Sequence, residues 1–285
     1  MTAAPHSEMS NRCKLLAAVP PFRPVAVQLL RLVEGPTQDL ARIVALLRSD
    51  AVMAAELMRA VNSPLFGSRY EIGNPLHALV YLGLERVKAL VATAAMKALA
   101  DATHNDLTHA CWRHNLATAL ICQDLSAALN LPSEKCYIAG LIHDIGRLAL
   151  LVAFPEYEYF GMLADSRAQD LLETEQWLFG LNHAEAGCWL LSQWGCPIEM
   201  QNIAAFHENP AEAPNCDRAV VGLVRAGSQL ADLLGMSVFP SPRYGQLSEI
   251  AADLSEIAGE GVSVDLEDVM EWVAPRVNGI ELSLV

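Results

Sequence analysis

The chain has 285 residues, enough for one large domain or two small ones with a buried core. Hydrophobic residues make up 53% and charged residues 18%, which excludes a disordered chain. A net charge of −14 with no basic run argues against general binding to nucleic acid or anionic membrane, because phosphate backbones reward clustered Lys and Arg.

Residues 1–14 read as a polar leader without an apolar signal core. Pro20-Pro21-Phe22-Arg23-Pro24 opens a first helix, with Val25, Leu29, Leu32 and Val33 at helical spacing. Gly35-Pro36 stops it, and Thr37 is a candidate N-cap for a second helix with Leu40, Ile43, Val44 and Leu47 inward. A third helix covers about 50–61 and stops at Asn62-Ser63-Pro64. Two more follow over about 76–82 and 85–100, hinged at Gly83.

The polar stretch 101–107 is the best internal boundary. Beyond it the spacing predicts helices over about 108–130, 133–153, 167–179, 183–194, 197–207 and 216–235. Ser133 is a candidate cap for the second of these. Residues 236–249 read as a loop, and 248–275 as short acidic amphipathic helices. No stretch alternates with β-branched residues, so the expected fold class is all-α. Segment 148–154 is far shorter than the roughly 20 residues a bilayer span needs. The seven cysteines are scattered with no C-x-x-C pair, which fits reduced thiols and a soluble, cytoplasmic protein.

Any chemistry falls to His114, His143, Asp144, His183, His207 and Asp232. His143 and Asp144 are adjacent, flanked by Gly140 and Gly146. A glycine inside a helix costs about 1 kcal/mol relative to alanine. Close approach of another helix or of a ligand would offset that cost. Imidazole and carboxylate together suit divalent iron, manganese or zinc, and helical bundle cores are a usual place for such sites. The same pair also serves as a satisfied polar network in a core, and spacing alone leaves both readings open. His6, His77, His104 and His109 read as surface or structural.

Several ordered segments resemble the HDOD family. They are Val19-Pro20-Pro21-Phe22, the stretch 59–67 around Asn62-Ser63-Pro64-Leu65-Phe66-Gly67, and Ala78 to Leu84. Trp112-Arg113-His114, Gly140 to Gly146, Asn182 to Gly187, Trp194-Gly195-Cys196-Pro197 and Ile203 to His207 continue the likeness, which covers about 15–235. The resemblance implies a bacterial signalling module with an HD-superfamily-like helical bundle at 106–235. An N-terminal helical sub-bundle at 15–105 precedes it, and an acidic helical extension at 236–285 follows.

In the related metal-dependent phosphohydrolases a histidine, an HD doublet and a later aspartate hold metal. By that resemblance His114, His143, Asp144 and Asp232 are ligands, and His183 and His207 match additional ligands of two-metal relatives. Two departures stand against catalysis. Arg147 occupies the place of a lysine that can donate a proton, which arginine does not do, although it can pair with phosphate. No Gly-Tyr-Pro motif of the cyclic-di-GMP phosphodiesterases is present.

The first expectation is a regulatory protein that uses an HD-like pocket to bind a signalling partner protein, or a nucleotide. The alternatives are a metal-dependent phosphohydrolase, with Asp144 and Arg147 catalytic, and a structural scaffold. The Asn62-Ser63-Pro64 stretch has a structural reading as a helix stop, with Phe66-Gly67 a buried anchor, and a functional one as a binding surface.

Overall fold

In the computed structural model the described residues are 14–32, 40–63, 71–102, 105–159, 171–239, 246–258 and 266–284. Among them are fourteen α-helices and no strand. The expected Thr37 cap, the Gly35-Pro36 stop and the Phe66 anchor lie outside these residues, as do His6 and His104.

The N-terminal helices are α1 (Pro24–Leu30), α2 (Leu40–Arg48), α3 (Ala51–Val61), α4 (Pro75–Leu82) and α5 (Leu84–Asp101). Pro24 starts α1, where its missing N–H costs nothing. Asp50 and Asn74 cap α3 and α4 by accepting from the N–H groups of Met53 and His77. Asn62 ends α3 and binds the Ile72 backbone. Its Oδ1 accepts from the Ile72 N–H at 2.7 Å and its Nδ2 donates to Ile72 O at 3.0 Å. This favours the structural reading of Asn62.

The second group is α6 (Asp106–Ser126), α7 (Ser133–Ile142), α8 (Ile145–Ala153), α9 (Leu171–Phe179), α10 (His183–Gln193), α11 (Ile198–Phe206) and α12 (Arg218–Leu233). The expected single helix over 133–153 is broken at His143–Asp144 into α7 and α8, and that corner carries the HD doublet. The cap of α7 is Pro132, not Ser133. By length and composition Ser133–Ala153 could cross a membrane, but 83% of the qualifying window is buried inside the protein.

The glycines of the doublet are explained by close backbone packing. A Cβ on Gly140 would lie 2.7 Å from Ala119 Cα on α6. One on Gly146 would lie 1.8 Å from the His183 carbonyl oxygen and 2.5 Å from the Gly187 nitrogen on α10. Helices, rather than a ligand, make the approach.

The tail folds back as α13 (Leu247–Ala258) and α14 (Glu267–Ser283). Helix α14 lies along α6, where Arg276 pairs with Asp124 at 2.5 Å and Arg113 with Glu281. Ile250, Leu254, Val273 and Val277 join the same hydrophobic core as the N-terminal Leu16 and Leu29. One core therefore runs through both helical groups and the tail.

Candidate metal centre

Four helix ends and one helix interior converge on the HD corner. Helix α6 brings His114, the α7–α8 corner His143 and Asp144, the start of α10 His183, and the end of α11 His207. All five are at most 4% exposed. Their donor atoms form two groups, His114–His143–Asp144 and Asp144–His183–His207, each with its donors within 4.8 Å of one another. Asp144 is common to both. Five of the six residues singled out in the sequence thus meet at one centre.

Asp232, the sixth, stands beside His114 and apart from both groups. It sits in the last turn of α12 with Oδ1 3.4 Å from Nδ1 of His114, outside both donor groups. Burial raises its carboxyl to about 7, and burial with the neighbouring His143 lowers the His114 imidazole well below 6.5. Near neutral pH the contact is therefore not a full ion pair. His114 is engaged at both nitrogens, with Met236 O 3.2 Å from Nδ1 and Ser228 Oγ 3.1 Å from Nε2.

The other three imidazoles share one arrangement. Nδ1 of His143 faces Gly140 O at 2.7 Å, Nδ1 of His207 faces Ala204 O at 3.0 Å, and Nδ1 of His183 faces Glu175 Oε2 at 2.6 Å. An acceptor at Nδ1 fixes a proton there and turns Nε2 to the centre, the way metal-ligating histidines are oriented. The Nε2 atoms of His183 and His207 stand 3.2 Å apart. Two nitrogens bound to one ion at about 2.0–2.1 Å are separated by roughly 3.0–3.4 Å. Asp144 Oδ1 is buried with no hydrogen-bond partner, 3.9 Å from His183 Nε2. An orphaned buried carboxylate oxygen is costly in a core and is satisfied by a cation. The residues thus fit a divalent transition metal.

Charge at the centre favours a cation. Asp144, Glu175 and Glu208 face two buried cations, Arg147 and the His183 imidazolium, which leaves one carboxylate in excess. Arg147 Nε lies 2.6 Å from Asp144 Oδ2, yet that N–H makes no aligned hydrogen bond, so the contact is ionic. The Arg147 guanidinium is 6.0 Å from the Phe239 ring centroid. In this structure Arg147 is held against Asp144.

Burial alone would lower the His183 imidazole, but Glu175 and Asp144 override it and lift it to about 10 in the metal-free protein. Burial lowers His207 to about 3 and pushes His143 well below 6.5.

Sequence reasoning missed Glu175, Tyr157, Ser228 and Glu208. Glu175 is fully buried and accepts from the His183 N–H at 2.8 Å, from its Nδ1–H, and from Tyr157 Oη at 2.5 Å. Glu208 Oε1 is 3.5 Å from His183 Nε2, with its side chain 36% exposed at the rim of the centre. Its position directly after His207 is the one signal that could have flagged it.

Gly146→Ala is expected to cost about 1–3 kcal/mol, as overpacking against backbone does. It should also weaken metal binding, because the clash falls on His183. Urea unfolding beside metal content checks both effects.

This helical bundle with an HD corner and converging histidines defines an HD-type helical protein. The sequence profile of the HDOD domain matches residues 19–210. The chain belongs to the HDOD family. An uncharacterized protein of Treponema pallidum (strain Nichols) is 25% identical over 213 residues, covering 72% of this chain and 40% of that protein. The chain thus spans less than half of that relative. A candidate signal transduction protein of Marinobacter aquaeolei VT8 superposes with a TM-score of 0.74 at 19% identity, over 99% of this chain and 65% of that one. A candidate metal-dependent phosphohydrolase of Shewanella amazonensis SB2B superposes with a TM-score of 0.61 at 19% identity, over 99% of each chain. These likenesses establish the shared fold.

Proposed function

We propose that this protein is a cytoplasmic regulatory module whose buried His–Asp centre holds a divalent iron, manganese or zinc ion and whose surface engages a signalling partner protein. The observation that carries the metal is the unpartnered Asp144 Oδ1 set among imidazoles whose Nδ1 atoms are already bound. His183, His207 and Asp144 would hold one ion, and His114 and His143 complete a second donor group on the same Asp144. When bound, such an ion lowers the pKa of a coordinated water and polarises a phosphoryl oxygen.

Two features favour regulation over turnover. Every ligand is at most 4% exposed, whereas catalytic metal sites keep an open position. Arg147 is committed to Asp144, and an arginine supplies no proton. The burial of the centre also speaks against a nucleotide seated on the metal itself.

The test is hydrolysis of bis(p-nitrophenyl) phosphate by protein reconstituted with each of the three metals, beside Asp144→Asn. Equal background rates for the two are expected. Metal-dependent turnover that Asp144→Asn abolishes would replace this reading with the phosphohydrolase one.

A further inference from the structure

A cleft of about 710 Å³ lies away from the HD corner, at the seam between the N-terminal helices and the HD-like bundle. One wall is the end of α1 and the Leu82–Lys88 turn into α5, and the other is formed by the starts of α7 and α11. Its volume falls in the range of small-molecule sites. Leu84, Ile138 and Met200 give it an apolar floor.

Four cations line it, Arg31, Arg86, Lys88 and Lys135, against the carboxylates of Glu85, Glu134 and Glu199. That is one more cation than carboxylate in a chain of net charge −14. Lys88 is 5% exposed and is held by Leu32 O and by Glu85 Oε1 at 2.6 Å. Burying an ammonium is expensive, and the cleft wall retains one. Arg31 is held on the Gly195 carbonyl. Arg86 and Lys135 are held loosely, 3.8 Å from Glu134 and 4.0 Å from Asp217, with side chains 62% and 44% exposed. Those two can turn to a ligand at little cost.

The backbone adds to this. Helices α5, α7 and α11 all begin in the cleft, and none has a side-chain cap. Their first N–H groups and dipoles favour an anion, phosphate above all.

We propose that this seam cleft is a second ligand site, for a nucleotide-sized organic phosphate. The phosphate sits between Arg86, Lys135 and the starts of α7 and α11, and the base lies on the apolar floor. Helix α7 runs from the cleft to His143, and α11 from the cleft to His207. At 1.5 Å per residue these helices place the ligand roughly 15 Å from the HD centre, an effector's position. The proposal does not depend on metal occupancy.

The test is calorimetric titration of the full chain with the four ribonucleoside 5′-monophosphates and with inorganic phosphate. At least one nucleotide is expected to saturate the protein with a Kd near or below about 1 mM. Inorganic phosphate should bind at least tenfold more weakly. The Arg86→Glu, Lys135→Glu double variant should lose at least tenfold in nucleotide affinity with an unchanged unfolding midpoint. The Arg59→Gln variant, at an exposed arginine outside the cleft, should bind within twofold of the parent. No saturation by any nucleotide, undiminished binding by the cleft variant, loss of binding in Arg59→Gln, or equal affinity for inorganic phosphate would each overturn the proposal.

Discussion

Glu175→Ala is expected to destabilise the metal-free protein by about 3–5 kcal/mol, the usual cost of removing one partner from a buried ion pair. Glu175 and His183 have fully buried side chains and meet at 2.6 Å. Burial works against both charges, yet their attraction overrides it. His183 rises to about 10, and the Glu175 carboxyl falls below its ordinary 4.5. Truncation leaves the imidazolium, the His183 N–H and the Tyr157 hydroxyl without their shared acceptor. Glu175→Gln keeps an acceptor and should cost less. Urea unfolding of both variants checks the order. A loss below about 1 kcal/mol for Glu175→Ala would mean that the pair is not holding His183.

The metal-free protein should also lose stability steeply on acidification below pH 6.5. His114, His143 and His207 are held neutral by burial, His207 down to about 3. A group with a depressed folded pKa contributes stability that is present above its unfolded value of 6.5 and lost as pH falls through its folded value. Each such histidine gives up to about 1.4 kcal/mol per pH unit; three act together just below pH 6.5, and Asp232, raised to about 7, offsets about one of them. His183 has the opposite sign. Its stabilisation is complete below 6.5 and disappears as pH rises through about 10. It cannot offset the acid loss, because it is already protonated in both states below 6.5. Urea midpoints of chelator-treated protein at successive pH values test this. A flat profile between pH 7 and pH 5 would contradict it. Bound metal should move the acid transition lower, since ligation also favours neutral imidazole.

The donor cluster was legible because His-Asp doublets and glycines inside apolar runs are local signals. The cost of Gly140 and Gly146 pointed to close packing, and the packing partners are α6 and α10. The corner between α7 and α8 was not legible. Apolar spacing runs unbroken through Ile142, Ile145 and Leu148, and the break falls on residues without the usual stop chemistry. Glu175 was equally hidden. In sequence it is one acid among polar neighbours in an amphipathic helix, a pattern that reads as solvated. Only the tertiary approach of α10 makes it the acceptor for His183. Asp232 shows the converse, since a matching Ala-Asp pair fixed its place in the chain but not its place in the donor groups.

The central claim is the metal, and elemental analysis tests it most directly. The protein should be purified without chelator or affinity metal, beside a His143→Ala, Asp144→Ala double variant whose fold is checked by circular dichroism. Iron, manganese or zinc near one or two ions per chain in the parent, and absent from the folded variant, is the expected result. No metal in the parent even after reconstitution would contradict it, and would leave the buried histidines as a polar network of the core.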